Sequence, residues 1–185
     1  MKKLLFFAGC FVGTISYGQT VNIPDPVFKA YLVNNPQINT NGDNEIQESE
    51  AAAYTGVISC PQNAGISDVT GLQAFVNLQY FYCNRNQLTS IDLTKNTKIK
   101  EVSIYLNKIQ SIDLSKNTKL VYLDLGDNLL TNVDLFYNTE LSEFYCTNNK
   151  LENLNLKSNI FPEENVNRNL NTMIVVVIPI CFAYK

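Results

Sequence analysis

The stretch Asn39-Thr40-Asn41-Gly42-Asp43-Asn44-Glu45-Ile46-Gln47-Glu48-Ser49-Glu50 sets oxygen-bearing residues at the intervals a calcium ion requires. In a twelve-residue calcium loop the ligands stand at positions 1, 3, 5, 7, 9 and 12. Asn39, Asn41 and Asp43 fall at 1, 3 and 5. Glu45 offers its carbonyl at 7, Gln47 stands at 9, and Glu50 is the acid at 12. Only Asp43 and Glu50 bring formal charge to the ion, so the expected affinity is weak, on the order of 10⁻⁴–10⁻³ M. Asn39 replaces Asp at position 1 and Asn44 replaces Gly at position 6. Asn takes the left-handed backbone more readily than most residues, so the turn at Asn44 survives. The alternative is a metal-free turn held by Asn and Asp side chains. Asp25 and Pro26 open a helix over 26–34, and a second short helix starts within 49–54. The loop therefore joins two helices into a small N-terminal cap.

Composition limits other chemistry. The 185 residues include no histidine and no tryptophan. A Ser-His-Asp or Cys-His nucleophile is impossible, and so is a His-ligated zinc or haem. A net charge of −3 with no basic face argues against nucleic acid as a partner. Lys2 and Lys3, the mostly apolar stretch from Leu4 to Ile15, and Ser16-Tyr17-Gly18 have the organisation of an export signal. Removal of residues 1–18 would take both lysines and move the net charge to −5. The expected location is secreted or extracytoplasmic, since the apolar stretch is too short to span a bilayer. Lipid attachment at Cys10, within Phe7-Ala8-Gly9-Cys10, is a second reading. Only about five apolar residues precede that cysteine, few for such a signal.

The chain contains 25 Asn and 20 Leu, and an internal repeat accounts for both excesses. Residues 78–98, 99–119, 120–140 and 141–161 align on the pattern L-x-x-L-x-L-x-x-N-x-L-x-x-I-D-L-x-x-N-T-x. Position 1 is Leu78, Ile99, Leu120 and Leu141; position 4 is Phe81, Val102, Leu123 and Phe144; position 6 is Cys83, Ile104, Leu125 and Cys146. Position 9 is Asn throughout, at Asn86, Asn107, Asn128 and Asn149, and a second Asn column runs through Asn96, Asn117, Asn138 and Asn159. An irregular first unit precedes these, with Ile58, Cys60, Asn63, Ile66, Val69 and Leu72 in stretched spacing. Each L-x-L core is one short strand, stacked about 4.8 Å from the next. Its inward residues fill a core that no single repeat could bury alone. The position 9 amide satisfies backbone groups where the chain leaves the strand, and its loss would cost roughly 1–3 kcal/mol per orphaned group.

Residues 57–159 resemble bacterial leucine-rich repeats of the internalin-like kind, in the short form whose units read N-x-L-x-x-I-D-L-S-x-N-T. The segment from Ile66 to Phe75 resembles that family's first repeat. The segment from Val21 to Ala30 resembles the helical leader before such arrays in secreted bacterial proteins. The fold expected is an α/β solenoid: about five leucine-rich repeats with parallel strands on the concave face, behind a small, helical, EF-hand-like N-terminal cap over 19–56. The resemblance implies a non-enzymatic recognition module that binds a protein or a glycan on its concave sheet.

Positions 3, 5 and 7 face that sheet's open side. Position 3 gives Val57, Tyr80, Glu101, Tyr122 and Glu143; position 5 gives Ser59, Tyr82, Ser103, Asp124 and Tyr145; position 7 adds Asn84, Tyr105 and Thr147. Tyrosine buries a large area on contact and carries a hydroxyl, so Tyr80, Tyr82, Tyr105, Tyr122 and Tyr145, with Glu101, Asp124 and Glu143 between them, are the candidate partner-binding residues. The bland reading is that tyrosine suits strands and stacks on its neighbours. For function, a purely structural surface protein or a truncated fragment of a larger secreted protein is the second reading, and a carboxylate hydrolase built on Glu101, Asp124 and Glu143, without any pocket signature to exclude water, is the third. Cys60, Cys83 and Cys146 face inward and read as small hydrophobes. Asp92, Asp113 and Asp134 stack on the convex side, either as a solvated ladder eased by Lys95 and Lys116 or as a secondary cation site. After Asn159 the repeat breaks at Pro162. Residues 160–185 read as an irregular tail, either the mark of a truncated or frameshifted chain or a strand from Ile174 to Ile178 covering the last rung.

Overall fold

The computed structural model describes residues 18–156 and the backbone of 174–176. The expected export signal and most of the tail lie outside the described residues. Helix α1 (Pro26–Val33) starts where Val27 and Phe28 donate their N–H groups to Asp25 Oδ1 at 2.9 and 3.0 Å, and Asn34 caps its end. It turns Phe28 and Leu32 into the core. Helix α2 (Glu48–Ala53) starts at Gln47, whose N–H donates to Glu50 Oε2 at 3.0 Å in a capping box.

The strands follow as β1 (Val57–Ser59), β2 (Tyr80–Tyr82), β3 (Glu101–Ser103), β4 (Tyr122–Asp124), β5 (Asn132–Asp134), β6 (Glu143–Tyr145), β7 (Asn153–Asn155) and β8 (Ile174–Val176). Strands β1, β2, β3, β4 and β6 are parallel neighbours, in the register Val57, Tyr80, Glu101, Tyr122, Glu143. One strand per turn makes a parallel-strand solenoid. Strands β5 and β7 form a second parallel ladder further along the coil, and β8 pairs antiparallel with β6, Tyr145 opposite Ile174. The central residue of each rung, Ile58, Phe81, Val102, Leu123 and Phe144, is fully buried.

The two Asn columns hold the turns in different ways. At position 9 each amide works in both directions. Asn107 Nδ2 donates to Cys83 O and Ile104 O at 2.9 Å, while its Oδ1 accepts the Leu88 N–H at 3.0 Å. Asn86, Asn128 and Asn149 do the same for Ile66, Ile109 and Leu130. In the second column Asn96, Asn117 and Asn138 only donate, each Nδ2 bonding two carbonyls of the preceding coil. Their Oδ1 atoms are buried without a protein donor. Asn63, aligned with the buried column in sequence, is instead exposed and left-handed (φ 55°). It shares that backbone with Arg85, Leu106, Asp127 and Asn148, so the stretched first unit shifts its Asn from position 9 to position 8. Leu106 (φ 55°) carries strain there, since its Cβ crowds the following carbonyl oxygen and it has no short polar side chain to bond locally as Asn and Asp do.

The first edge of the sheet is closed by two tyrosines. Ser59 N–H donates to the Tyr31 hydroxyl at 2.9 Å, and the Tyr54 hydroxyl donates to Val57 O at 2.9 Å. Both satisfy edge groups of β1 that would otherwise template another strand. Asp25 ties the cap on. Besides capping α1, its Oδ2 accepts from Ser67 N, Ser67 Oγ and Asp68 N at 2.9–3.3 Å. Gly71 (φ 101°) leaves room for the leading segment, because a Cβ there would lie 2.7 Å from Ile23 and 2.9 Å from Asn22 O.

Candidate functional site

The outward face of the main sheet is built from strand residues whose neighbours point inward, so each outward side chain stands on a fixed backbone. Tyr80, Tyr82, Glu101, Tyr105, Tyr122, Asp124, Glu143 and Tyr145 are all half-buried. Register places Tyr80, Glu101, Tyr122 and Glu143 in one row and Tyr82, Ser103, Asp124 and Tyr145 in the next. The rows are cross-linked: the Tyr82 hydroxyl donates to Glu101 Oε2 at 2.5 Å, and the Tyr145 hydroxyl to Glu143 Oε2 at 3.2 Å. The Tyr122 and Tyr145 rings lie 5.7 Å apart, tilted by 47°. This packing holds the rings against one another and against the carboxylates.

Asp124 lies in the middle of that array. Its Oδ1 accepts the Gly126 N–H at 3.0 Å, but its Oδ2 has only Ser103 Oγ at 3.4 Å. That hydroxyl is better placed for Asn84 Oδ1, at 2.8 Å. Burial raises the Asp124 carboxyl above the usual aspartate value. The same desolvation, followed by the negative charge of Asp124, pushes the Tyr122 phenol up to about 12. Burial also raises Tyr82 and Tyr145, helped by their hydrogen bonds to Glu101 and Glu143. Positions 3, 5 and 7 of rungs β2, β3, β4 and β6 contain no Lys or Arg.

Sequence reading missed Arg85. Its Nε donates to the Tyr105 hydroxyl at 2.8 Å and its guanidinium stacks 5.3 Å from that ring's centre, which clamps Tyr105 at the margin of the face. The left-handed turn at position 8 aims it there, and the column's mixed residue types gave no signal of that. Ser103, counted with the open face, is buried and positions Asn84 and Asp124 instead.

In the 39–50 loop the left-handed residue is Gly42 (φ 71°), position 4, and not Asn44 at position 6. The expected ligands bond one another. Asn39 Nδ2 donates to Val33 O and Asp43 O, and Asn41 Nδ2 lies between Asp43 Oδ2 (3.0 Å) and Gln47 Oε1 (2.7 Å). Glu45 reaches back to Lys29 Nζ at 2.7 Å. Glu50 Oε1 accepts from Thr40 N, Thr40 Oγ and Asn41 N. Burial alone would raise the Glu50 carboxyl, but these bonds, with that from Gln47 N, hold it below its ordinary value.

On the opposite face Asp92, Asp113 and Asp134 each accept the N–H two residues on, from Thr94, Ser115 and Phe136 at 2.9 Å. Turn hydrogen bonds, ahead of any lysine, hold the Asp92 and Asp113 carboxyls below their usual value. Cys60, Cys83 and Cys146 are buried, and burial pushes the Cys146 thiol up to about 12. Among the described residues no helix is long and apolar enough to cross a membrane.

No protein-family model matches this chain, and no curated protein does. Its fold is similar to solved internalins of Listeria monocytogenes. Against InlF of strain 4b F2365 the TM-score is 0.54 at 21% identity, covering 79% of this chain and 41% of that one. Against internalin C2 of the same strain it is 0.52 at 21% identity, covering 76% and 78%. The functional domain of InlJ, which includes a cysteine ladder, gives 0.49 at 23% identity, covering 80% and 38%. This chain thus spans well under half the length of the InlJ and InlF chains. The fold is the leucine-rich-repeat solenoid seen in InlF and internalin C2.

Proposed function

We propose that this chain is a secreted or cell-surface recognition module, and not an enzyme, which binds a partner protein through its concave sheet. The observation behind this is the fixed lattice of five tyrosines and three carboxylates on one open face. Such a lattice offers large contact area, hydroxyls and charge with little side-chain freedom left to lose. Carboxylates spread over three successive strands, each partnered by a neighbouring hydroxyl, suit association better than hydrolysis. Tyrosines and carboxylates spread over four neighbouring strands offer an extended contact area, which favours a protein over a glycan.

The test compares the chain with a Tyr82→Ala, Tyr105→Ala, Tyr145→Ala variant against cell-surface proteins and a glycan array, with melting as a control for folding. Loss of the ligand at unchanged melting supports the reading. Equal capture of every ligand by both forms refutes it.

The 39–50 loop has a separate role as the lid of the solenoid, braced by hydrogen bonds among its own Asn, Gln and Glu side chains. Calcium is the second reading. Its oxygens would be those of Asp43 and Gln47 that now flank Asn41 Nδ2, with Asn39, Asn41, Glu45 and Glu50 completing the set. The ion would neutralise Asp43 and Glu50 and brace the lid. Titration calorimetry of the chain against an Asp43→Ala, Glu50→Ala variant decides. Equal heats and equal melting with and without calcium eliminate the ion.

A further inference from the structure

We infer that the partner presents cationic side chains, Lys or Arg on an extended segment, to the middle of the concave sheet, between the Tyr122–Tyr145 ring pair and the carboxylates of Asp124, Glu143 and Glu101. The inference rests on the concave-face reading above and names the chemistry of what that face receives. Three features carry it. The face is one-signed, since positions 3, 5 and 7 on four successive rungs supply three carboxylates and no basic group. Arg85, the one arginine among the described residues, is already engaged by Tyr105 at the margin.

Asp124 is a half-buried carboxylate whose second oxygen lacks a close donor, 3.4 Å from a hydroxyl that bonds elsewhere. A desolvated anion without a counter-charge leaves free energy that an incoming cation recovers. The third feature is aromatic. Tyr122 and Tyr145 flank that carboxylate at 5.7 Å between ring centres, and an ammonium or guanidinium seated there meets ring faces and carboxylate together. Glu101 and Glu143 are held by tyrosine hydroxyls, so their charges are fixed at the rim. Register repeats this pairing from rung to rung, roughly 4.8 Å apart. A segment running across the strands thus meets one carboxylate on each of three successive rungs, β3, β4 and β6.

The test is fluorescence anisotropy of labelled pentalysine with the purified chain, with pentaglutamate and chitopentaose as comparison ligands. Two doubly substituted forms remove the same charge from opposite faces: Asp124→Asn with Glu143→Gln, and Asp92→Asn with Asp113→Asn. Pentalysine should bind, weaken at least tenfold in the first form and change less than twofold in the second. Equal weakening in both would reduce the effect to net charge and overturn the inference, as would no binding of pentalysine. If chitopentaose binds and a Tyr122→Ala, Tyr145→Ala form loses it, the cationic partner is wrong while concave-face recognition stands. If no concave substitution alters any ligand, both fall.

Discussion

Two ladders of carboxylates run along this solenoid on opposite faces, and they do different work. On the convex side Asp92, Asp113 and Asp134 each spend an oxygen on a backbone N–H two residues on. On the concave side Glu101, Asp124 and Glu143 meet tyrosine hydroxyls, one serine and, at Asp124, one backbone N–H. Glu101 and Glu143 have only side-chain partners here, which a ligand could replace, and Asp124 combines both kinds, with Oδ1 on the Gly126 N–H and Oδ2 facing Ser103 Oγ. Asp25 is the extreme of the backbone-bonded kind, with both oxygens taken by the cap and the first repeat.

The largest effect should come from Asp25. Replacement by Ala removes an N-cap and the clip to Ser67 together, and should cost about 3 kcal/mol in denaturant unfolding without changing ligand affinity. Asp113→Ala should cost about 1 kcal/mol, again with binding intact. Loss of binding in either form at a temperature where it remains folded would break the division between the faces.

Acid should separate the ladders by sign. Asp25, Glu50, Asp92 and Asp113 have depressed carboxyls, so their stabilisation is present above the unfolded values of about 3.9–4.3 and fades as pH falls through the folded ones. Asp124 is raised, so it destabilises the fold when ionised, and that penalty disappears as pH falls through its folded value. Melting should therefore improve slightly on mild acidification and then drop in stronger acid. Asp124→Asn should abolish the improvement and keep the drop. A monotonic profile for the parent chain would contradict the sign assigned to Asp124. At neutral pH the smallest change is expected, a gain of a few tenths of a kcal/mol for Asp124→Asn.

The repeat made most of the fold legible. Apolar columns at positions 1, 4, 6 and 11 and Asn at position 9 are period and chemistry at once, and their described members are buried as the alignment requires. The face was readable for the same reason, because alternation along a strand fixes which side chains point out. What escaped reading depended on backbone conformation. The left-handed column at position 8 recruits Arg, Leu, Asp and Asn alike, so nothing in residue type announced it, and Asn63 was displaced by one position. Tyr31 and Tyr54, which close the edge of β1, act across 28 and 3 residues through hydroxyls that no local pattern encodes. In the 39–50 loop the polar spacing is compatible with an ion and with a hydrogen-bonded turn, and the left-handed residue, Gly42 and not Asn44, was not legible in that spacing.

The most direct test of the concave-face claim places a photo-crosslinking phenylalanine analogue at Tyr122 in one preparation and at Lys116, on the convex side, in another. Both are irradiated with the same cell-surface extract. The account predicts a discrete adduct from position 122, lost when Tyr82 and Tyr145 are also Ala, and none from position 116. Equal adducts from both positions, or an adduct from 116 alone, would contradict it.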